Sequence, residues 1–299
     1  MDKKPKVLVI MSTYNGEKFL KEQIDSILAQ SDVDVTLHVF DDCSKDKTQE
    51  IVKEYEKKHK NVVLHVNEKN KNFTYNFIDG LFTFKDEQGY NYYAFADQDD
   101  FWVNNKLISA IKKIQEVGKC TMYSANLKIV NQKLEYAGNN MMDANYKNKH
   151  YDVVCKNIVT GCTIVFDNDF KNLATEKYPE NIYLHDYWLA LIANYTQGAH
   201  FVYDACPDYI LYRQHGNNMI GENKNLAKKL KKKDENKTTR NLVKNFCELF
   251  GEKLLEADKP ILNKLANSNK LKNRLHLFFK MKKNNYLTIF RIKMLLNKY

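Results

Sequence analysis

Val7 to Met11 is an unbroken apolar run, the pattern a strand needs when both faces of its sheet are covered. A polar turn, Ser12-Thr-Tyr-Asn-Gly-Glu17, separates it from Phe19 to Ala29, where Phe19, Leu20, Ile24, Ile27 and Leu28 recur at a helical spacing. The alternation then repeats. Val35 to Phe40 predicts a second strand ending in Asp41-Asp42-Cys43-Ser44, and Lys47 to His59 a polar helix. Val62 to Val66 follows as a third strand, Phe73 to Phe84 as a third helix and Tyr92 to Ala96 as a fourth strand, before a helix from about Asn104 to Glu116. Strands and helices alternating through short links imply the α/β class: a doubly wound, mostly parallel sheet flanked by helices. Ligands on such sheets collect at the carboxyl ends of the strands, and Thr13-Tyr14-Asn15, Asp41-Asp42 and Asp97-Gln98-Asp99 all stand at such ends.

The last of these stretches carries the strongest chemical signal. Asp97, Asp99 and Asp100 follow directly on a buried strand, where like charges repel unless a cation sits among them. A bound divalent metal relieves that repulsion; the plainer alternative is an acidic turn capping the next helix. Together the three strand ends supply hydrogen-bonding groups, an aromatic face and carboxylates, the set required by a nucleotide with a metal-bound diphosphate. No Gly-x-Gly-x-x-Gly follows the first strand and no Gly-Lys-Ser/Thr occurs there, so dinucleotide and P-loop binding lose their support.

Composition narrows the class further. Of the 299 residues 43% are hydrophobic and 28% charged, and four prolines and ten glycines are too few for long disordered stretches. Six scattered cysteines without a Cys-x-x-Cys suit reduced thiols better than a disulfide framework or a zinc site. The start of the chain lacks a signal-peptide apolar region, and no apolar run reaches the roughly 20 residues that span a bilayer. The net charge of +10 is uneven: from Glu222 onward there are 21 Lys or Arg against seven Asp or Glu, so the preceding part is slightly acidic. A boundary is therefore expected between a domain at 1–221 and a basic helical region at 222–299.

Four blocks in order, Ser12-Thr-Tyr-Asn-Gly-Glu17, Val39-Phe-Asp-Asp-Cys-Ser-Lys-Asp-Lys-Thr48, Asn70-Lys-Asn-Phe-Thr-Tyr-Asn76 and Ala96-Asp-Gln-Asp-Asp-Phe-Trp102, resemble the family 2 glycosyltransferases of Rossmann-like GT-A fold. Later blocks, Thr160-Gly-Cys-Thr-Ile-Val-Phe166, Leu184-His-Asp-Tyr-Trp-Leu-Ala190 and Tyr212-Arg-Gln-His-Gly-Asn-Asn218, resemble the branch holding bacterial rhamnosyltransferases of surface polysaccharides. The Gln-x-x-Arg-Trp element of processive synthases is absent, which favours addition of single sugars.

The resemblance implies roles. Thr13, Tyr14 and Asn15 line the pocket of the donor base, with Tyr14 flat on a pyrimidine. Asp41 or Asp42 accepts from the base or ribose, and Glu17, Asn76 and Gln98 belong to the same nucleotide-sugar site. Asp97 faces the ribose or reaches the metal through water, Asp99 binds the metal directly and Asp100 braces its neighbours. The hard carboxylate and phosphate ligands imply Mn²⁺ or Mg²⁺. Arg213 is expected at the diphosphate and His215 in the metal shell. Asp186 is expected as general base, within about 2.6 to 3.2 Å of the acceptor hydroxyl, its alternative being a helix N-cap. The implied activity is inverting, metal-dependent transfer of one sugar, rhamnose from dTDP-rhamnose as first choice over a UDP-sugar, to a glycan or lipid-linked acceptor. A sugar-phosphate nucleotidyltransferase and a non-catalytic nucleotide-sugar binding protein are the alternatives.

The tail, with Lys228-Lys-Leu-Lys-Lys-Lys233 and an amphipathic basic stretch from Leu271 to Leu296, predicts peripheral contact with an anionic membrane; packing against the domain or in a homo-oligomer competes with it. Nucleic acid is not expected as a partner, because no nucleic-acid module accompanies the basic tail. The expected location is the cytoplasm, at the inner face of the cell membrane.

Overall fold

Val7 to Met11, the apolar run, is completely buried at the centre of β1 (Lys6–Thr13). Around it the computed structural model, which describes residues 3–215, 235–283 and 288–296, builds two compact units. The first comprises Met1–Lys147, Val159–Glu176 and His200–Asn218; the second comprises Asn148–Ile158, Lys177–Ala199 and Met219–Tyr299. The expected boundary at 221/222 and the lysine cluster at 228–233 lie outside the described residues.

In the first unit β1 is followed by α1 (Leu20–Leu28), β2 (Asp34–Asp41), α2 (Thr48–Lys58), β3 (Val62–Val66), α3 (Asn72–Thr83), β4 (Tyr92–Ala96), β5 (Phe101–Trp102), α4 (Lys106–Val117) and β6 (Thr121–Ala125). β1 to β4 and α1 to α4 fall within one or two residues of the positions read from periodicity, because each carries its own apolar run or stripe, whereas β5 and β6 are additions to that reading. The unit is completed by β7 (Lys128–Val130), β8 (Tyr136–Asn140), β9 (Val165–Asp167), α6 (Asn168–Ala174), β10 (His200–Asp204) and β11 (Ile210–Arg213). Seven strands form one sheet in the order β10-β6-β9-β4-β1-β2-β3. Every pairing is parallel except those of β9, which runs against both β4 and β6.

The chain leaves β1 to one side through β2 and β3, while β4 lies on its other side, so a topological switch point separates β1 from β4. Register aligns the strand ends there: Thr13 is opposite Asp41, Asp41 opposite Val66, and Met11 opposite Ala96. A second sheet, β5-β11-β7-β8, takes up the chain as it leaves the acidic turn.

The second unit is helical: α5 (Asp152–Lys156), α7 (His185–Tyr195), α8 (Glu235–Phe250), α9 (Lys259–Ala266), α10 (Leu271–Lys283) and α11 (Thr288–Leu295). Trp188 of α7 packs edge-on against Phe246 and Phe250 of α8 at 6.0 Å between ring centres. Asp258 at the start of α9 accepts from His150 and from the Tyr151 hydroxyl, both at 2.8 Å, tying the Asn148–Ile158 segment down. The basic stretch read as one run from Leu271 to Leu296 is two helices, α10 and α11. Among the described residues no helix is long and apolar enough to cross a membrane.

Candidate active site

At the end of β1 the chain turns through Asn15 in the left-handed region, φ 49°, a conformation asparagine tolerates better than most residues. Neighbouring strand ends hold this turn in place. Asn15 N–H donates to the Ser44 hydroxyl at 2.9 Å, Gly16 N–H to Thr48 Oγ1 at 2.8 Å, and Lys45 N–H returns to Asn15 Oδ1 at 2.8 Å. Glu17 accepts from Lys47 N–H at 2.9 Å while its own N–H donates to Asp46 at 3.1 Å. Across the switch point Gln98 grips the peptide of Tyr14 on both sides, accepting from its N–H at 2.8 Å and donating to its carbonyl at 3.1 Å. A side chain at Gly16 would collide with that amide, since its Cβ would stand 2.2 Å from Gln98 Oε1. The result is an exposed Tyr14 ring, half accessible, on a backbone fixed at both flanks.

The two aspartates that end β2 separate in the structure. Asp41 is fully buried and both of its oxygens are occupied twice: Oδ1 accepts from Ser44 N–H and Gln49 Nε2, Oδ2 from the Thr13 and Ser44 hydroxyls. Those are all the lone-pair sites a carboxylate offers. Asp42 uses Oδ1 for Asn67 Nδ2 at 2.9 Å and Lys71 N–H at 2.8 Å, while its Oδ2 takes no donor among the described residues. Asn76 is buried and donates at 2.7 Å to both Ser12 Oγ and the Phe40 carbonyl, so it ties the ends of β1 and β2 together. Ser44 bridges Asp41 and Asn15.

The acidic turn is held from the other side by β5 and β11, which pair Phe101 with Leu211 and Trp102 with Ile210. That pairing brings the residues after β11 back to the turn. His215 Nε2 lies 2.7 Å from Asp99 Oδ2, so the two expected metal ligands are neighbours. Arg213, expected at the diphosphate, is 1% exposed, and its guanidinium donates to the Asp99 carbonyl at 2.9 Å, to the Gln132 carbonyl and to Glu22 at 2.5 Å, over the face of Phe19. Its N–H adds a bond to Asp100 at 3.2 Å. In this structure the arginine clamps the acidic turn onto α1.

Electrostatically the turn is under load. Asp100 is completely buried, its Oδ2 finds no nitrogen or oxygen donor among the described residues, and the Cys162 thiol is the weak donor beside it. Burial, then the charges of Asp99 and Asp97, push its pKa well above the usual carboxylate range. Ligand atoms of Asp97, Asp100 and Cys162 lie within 4.8 Å of one another. The residues present fit a divalent cation: hard oxygen donors converge, and a buried carboxylate oxygen lacks a strong donor. Lys106 is the positive charge close behind them. Burial pulls its pKa down to about 7, against the attraction of Cys162, Asp100 and Asp97, and its Nζ stands 3.2 Å from the centre of the Trp102 ring. Periodicity held a clue to it, since Lys106 shares the buried face of α4 with Leu107, Ala110, Ile111 and Ile114.

Asp186 belongs to the second unit. Leu184 holds the N-cap of α7 and Asp186 stands in the first turn, 5% exposed, accepting from Tyr187 N–H at 2.6 Å and Asn157 Nδ2 at 3.4 Å. Burial drives its neighbour His185 down to about 3, so that ring is neutral at physiological pH. Trp102 and Trp188 are core residues exposed by 1% or less.

The strand ends at the switch point bring the exposed Tyr14 ring, Asp42 with its one unshared oxygen and the Asp97–Asp100 turn to one edge of the sheet. The Glycosyl transferase family 2 profile matches residues 8–173, and the chain belongs to that family of glycosyltransferases acting on nucleotide-sugar donors. It is 31% identical over 237 residues, 74% of its length and 77% of the relative's, to the dTDP-rhamnosyl transferase RfbG of Shigella flexneri. Its fold is similar to that of S. aureus TarS 1-349, solved with UDP-GlcNAc, with a TM-score of 0.62, 16% identity, and coverage of 98% of this chain and 79% of that one. The mannosyltransferase PcManGT from Pyrobaculum calidifontis, solved with GDP-Man and Mn2+, gives a TM-score of 0.55 at 17% identity, covering 99% and 86%. The family assignment removes the support for a nucleotidyltransferase.

Proposed function

We propose that the chain transfers one rhamnosyl unit from dTDP-rhamnose, with inversion and with Mn²⁺ or Mg²⁺, to a growing surface glycan or its lipid-linked precursor. The observation that carries this reading is the Asp97–Asp100 turn, clamped at the switch point with Asp99 against His215. The likeness to a dTDP-rhamnosyl transferase over three quarters of the chain supports the choice of donor.

Tyr14 stacks on the base, and the open Oδ2 of Asp42 accepts from the base or ribose. Asp41, Thr13, Asn15, Glu17, Asn76 and Gln98 hold that pocket in shape. Asp99 and His215 would hold the metal, with Asp97 at the ribose or the metal, and the metal would supply Lewis-acid neutralisation of the diphosphate. Arg213 acts as a positioning residue for Asp99. Asp186 takes the proton of the acceptor hydroxyl as its oxygen bonds to the anomeric carbon, and the electron pair of the breaking carbon–oxygen bond leaves with the nucleoside diphosphate. The C-terminal helices hold the enzyme at the inner face of the membrane, where such acceptors are carried.

The test is a transfer assay with dTDP-rhamnose and UDP-sugars, with and without Mn²⁺, on the unaltered chain and Asp186→Asn. Transfer from dTDP-rhamnose that needs the metal, and an Asp186→Asn variant that binds donor but does not transfer, bear the proposal out. Preference for a UDP-sugar overturns the donor, and full activity of Asp186→Asn overturns the base.

A further inference from the structure

From Lys259 to Tyr299 the chain carries eleven Lys or Arg and no Asp or Glu. On α10 Leu277 is completely buried and Asn273, Arg274 and Phe278 are half-buried, which fixes the face turned to the rest of the unit. Leu271, Leu275 and Phe279, spaced four apart and so stacked on another face, are 57%, 42% and 63% exposed. Lys272 and Lys280 flank that stripe and are also exposed. The following helix α11 adds Ile292, 42% exposed, and Leu296 just beyond it is 57% exposed; Arg291 lies over Phe278 at 4.5 Å and holds the two helices together.

Singly exposed apolar residues need no explanation, but a stripe of three large ones bordered by cations does. We propose that the Leu271–Leu275–Phe279 face of α10 lies in the surface of an anionic bilayer, its apolar side chains among the acyl chains and Lys272 and Lys280 at the phosphates. Charge decides the occupant. A second copy would bring the same uncompensated cations to the contact, whereas an anionic lipid surface neutralises them and accepts the bare leucines and phenylalanine. This inference deepens the membrane contact of the proposed function and names the surface that makes it.

The experiment is sedimentation of the full chain with phosphatidylcholine vesicles, with and without phosphatidylglycerol. It compares the unaltered protein, the triple variant Leu271→Ser, Leu275→Ser, Phe279→Ser, and the double variant Lys272→Ala, Lys280→Ala. Binding is expected only with phosphatidylglycerol, weakened at least about a hundredfold in the triple variant and roughly twenty-fivefold in the double variant. Melting temperature and transfer to a soluble acceptor stay unchanged, because none of these residues is buried or in the site. If the unaltered protein binds neither vesicle, membrane contact as a whole is wrong. If it binds and the triple variant binds equally well, the contact stands but this face is not the one that makes it. A dimer that the triple variant dissociates, without vesicle binding, gives the surface to a second copy and likewise overturns the proposal.

Discussion

The aspartates ending β2 and those following β4 sit at the same sheet edge, two strands apart, and are handled in opposite ways. Asp41 receives four donors from its own chain, so its charge is settled before any ligand arrives. Asp100 is as deeply buried, receives one backbone donor and a thiol, and has its pKa raised by burial and by Asp99 and Asp97. One carboxylate is scaffold. The other belongs to a cluster of three aspartates with the buried Lys106 behind it and Arg213 turned to the Asp99 carbonyl, and a metal cation would add the positive charge such a cluster attracts.

The comparison breaks first, and furthest, at activity. Asp99→Asn is expected to lower kcat by about a thousandfold, the size of effect seen when a group stabilising the leaving charge is lost, while the fold persists; circular dichroism beside the transfer assay checks both. A smaller effect, of opposite sign in the two regions, is expected in stability without metal. Asp41→Asn should cost about 3 kcal/mol, because the amide presents a donor where donors already point, whereas Asp100→Asn should stabilise, since it removes a buried carboxyl whose charged form is disfavoured by burial and by Asp99 and Asp97. Urea melts in EDTA measure both, and equal destabilisation would dissolve the contrast. Asp42→Asn, with one open oxygen, should leave the melt nearly unchanged and weaken nucleotide binding instead.

The smallest effect is in pH. Asp100 has a folded pKa above its unfolded one, so the folded state binds the extra proton and the associated stability is lost as pH rises through the folded value. The advantage of Asp100→Asn over the unaltered chain should therefore shrink as pH falls from neutral toward the ordinary carboxylate range. Thermal melts of the pair across that range test it, and a gap that widens on acidification would reverse the sign.

Much of this edge could be read from the chain because local pattern determined it. β1 to β4 each carry an apolar run, and parallel order aligns their ends, so Thr13, Asp41 and Asp97 were bound to meet. The share between Asp41 and Asp42 was not readable, since it depends on donors from Gln49, Asn67 and Lys71 placed by packing. What Arg213 grips was hidden for a related reason. Its position follows from pairing a two-residue strand, β5, with a distant four-residue one, and elements that short carry no period to read.

Gln98 has one more consequence. By holding the Tyr14 peptide from both sides it joins the turn after β1 to the loop that carries Asp97 and Asp99, so under the proposed function the two ends of a donor molecule would press on a single mechanical part. A base too large for Tyr14 would then tilt that part and pull the carboxylates out of line with the phosphates, so a wrong nucleotide would be rejected at the chemical step as well as on arrival.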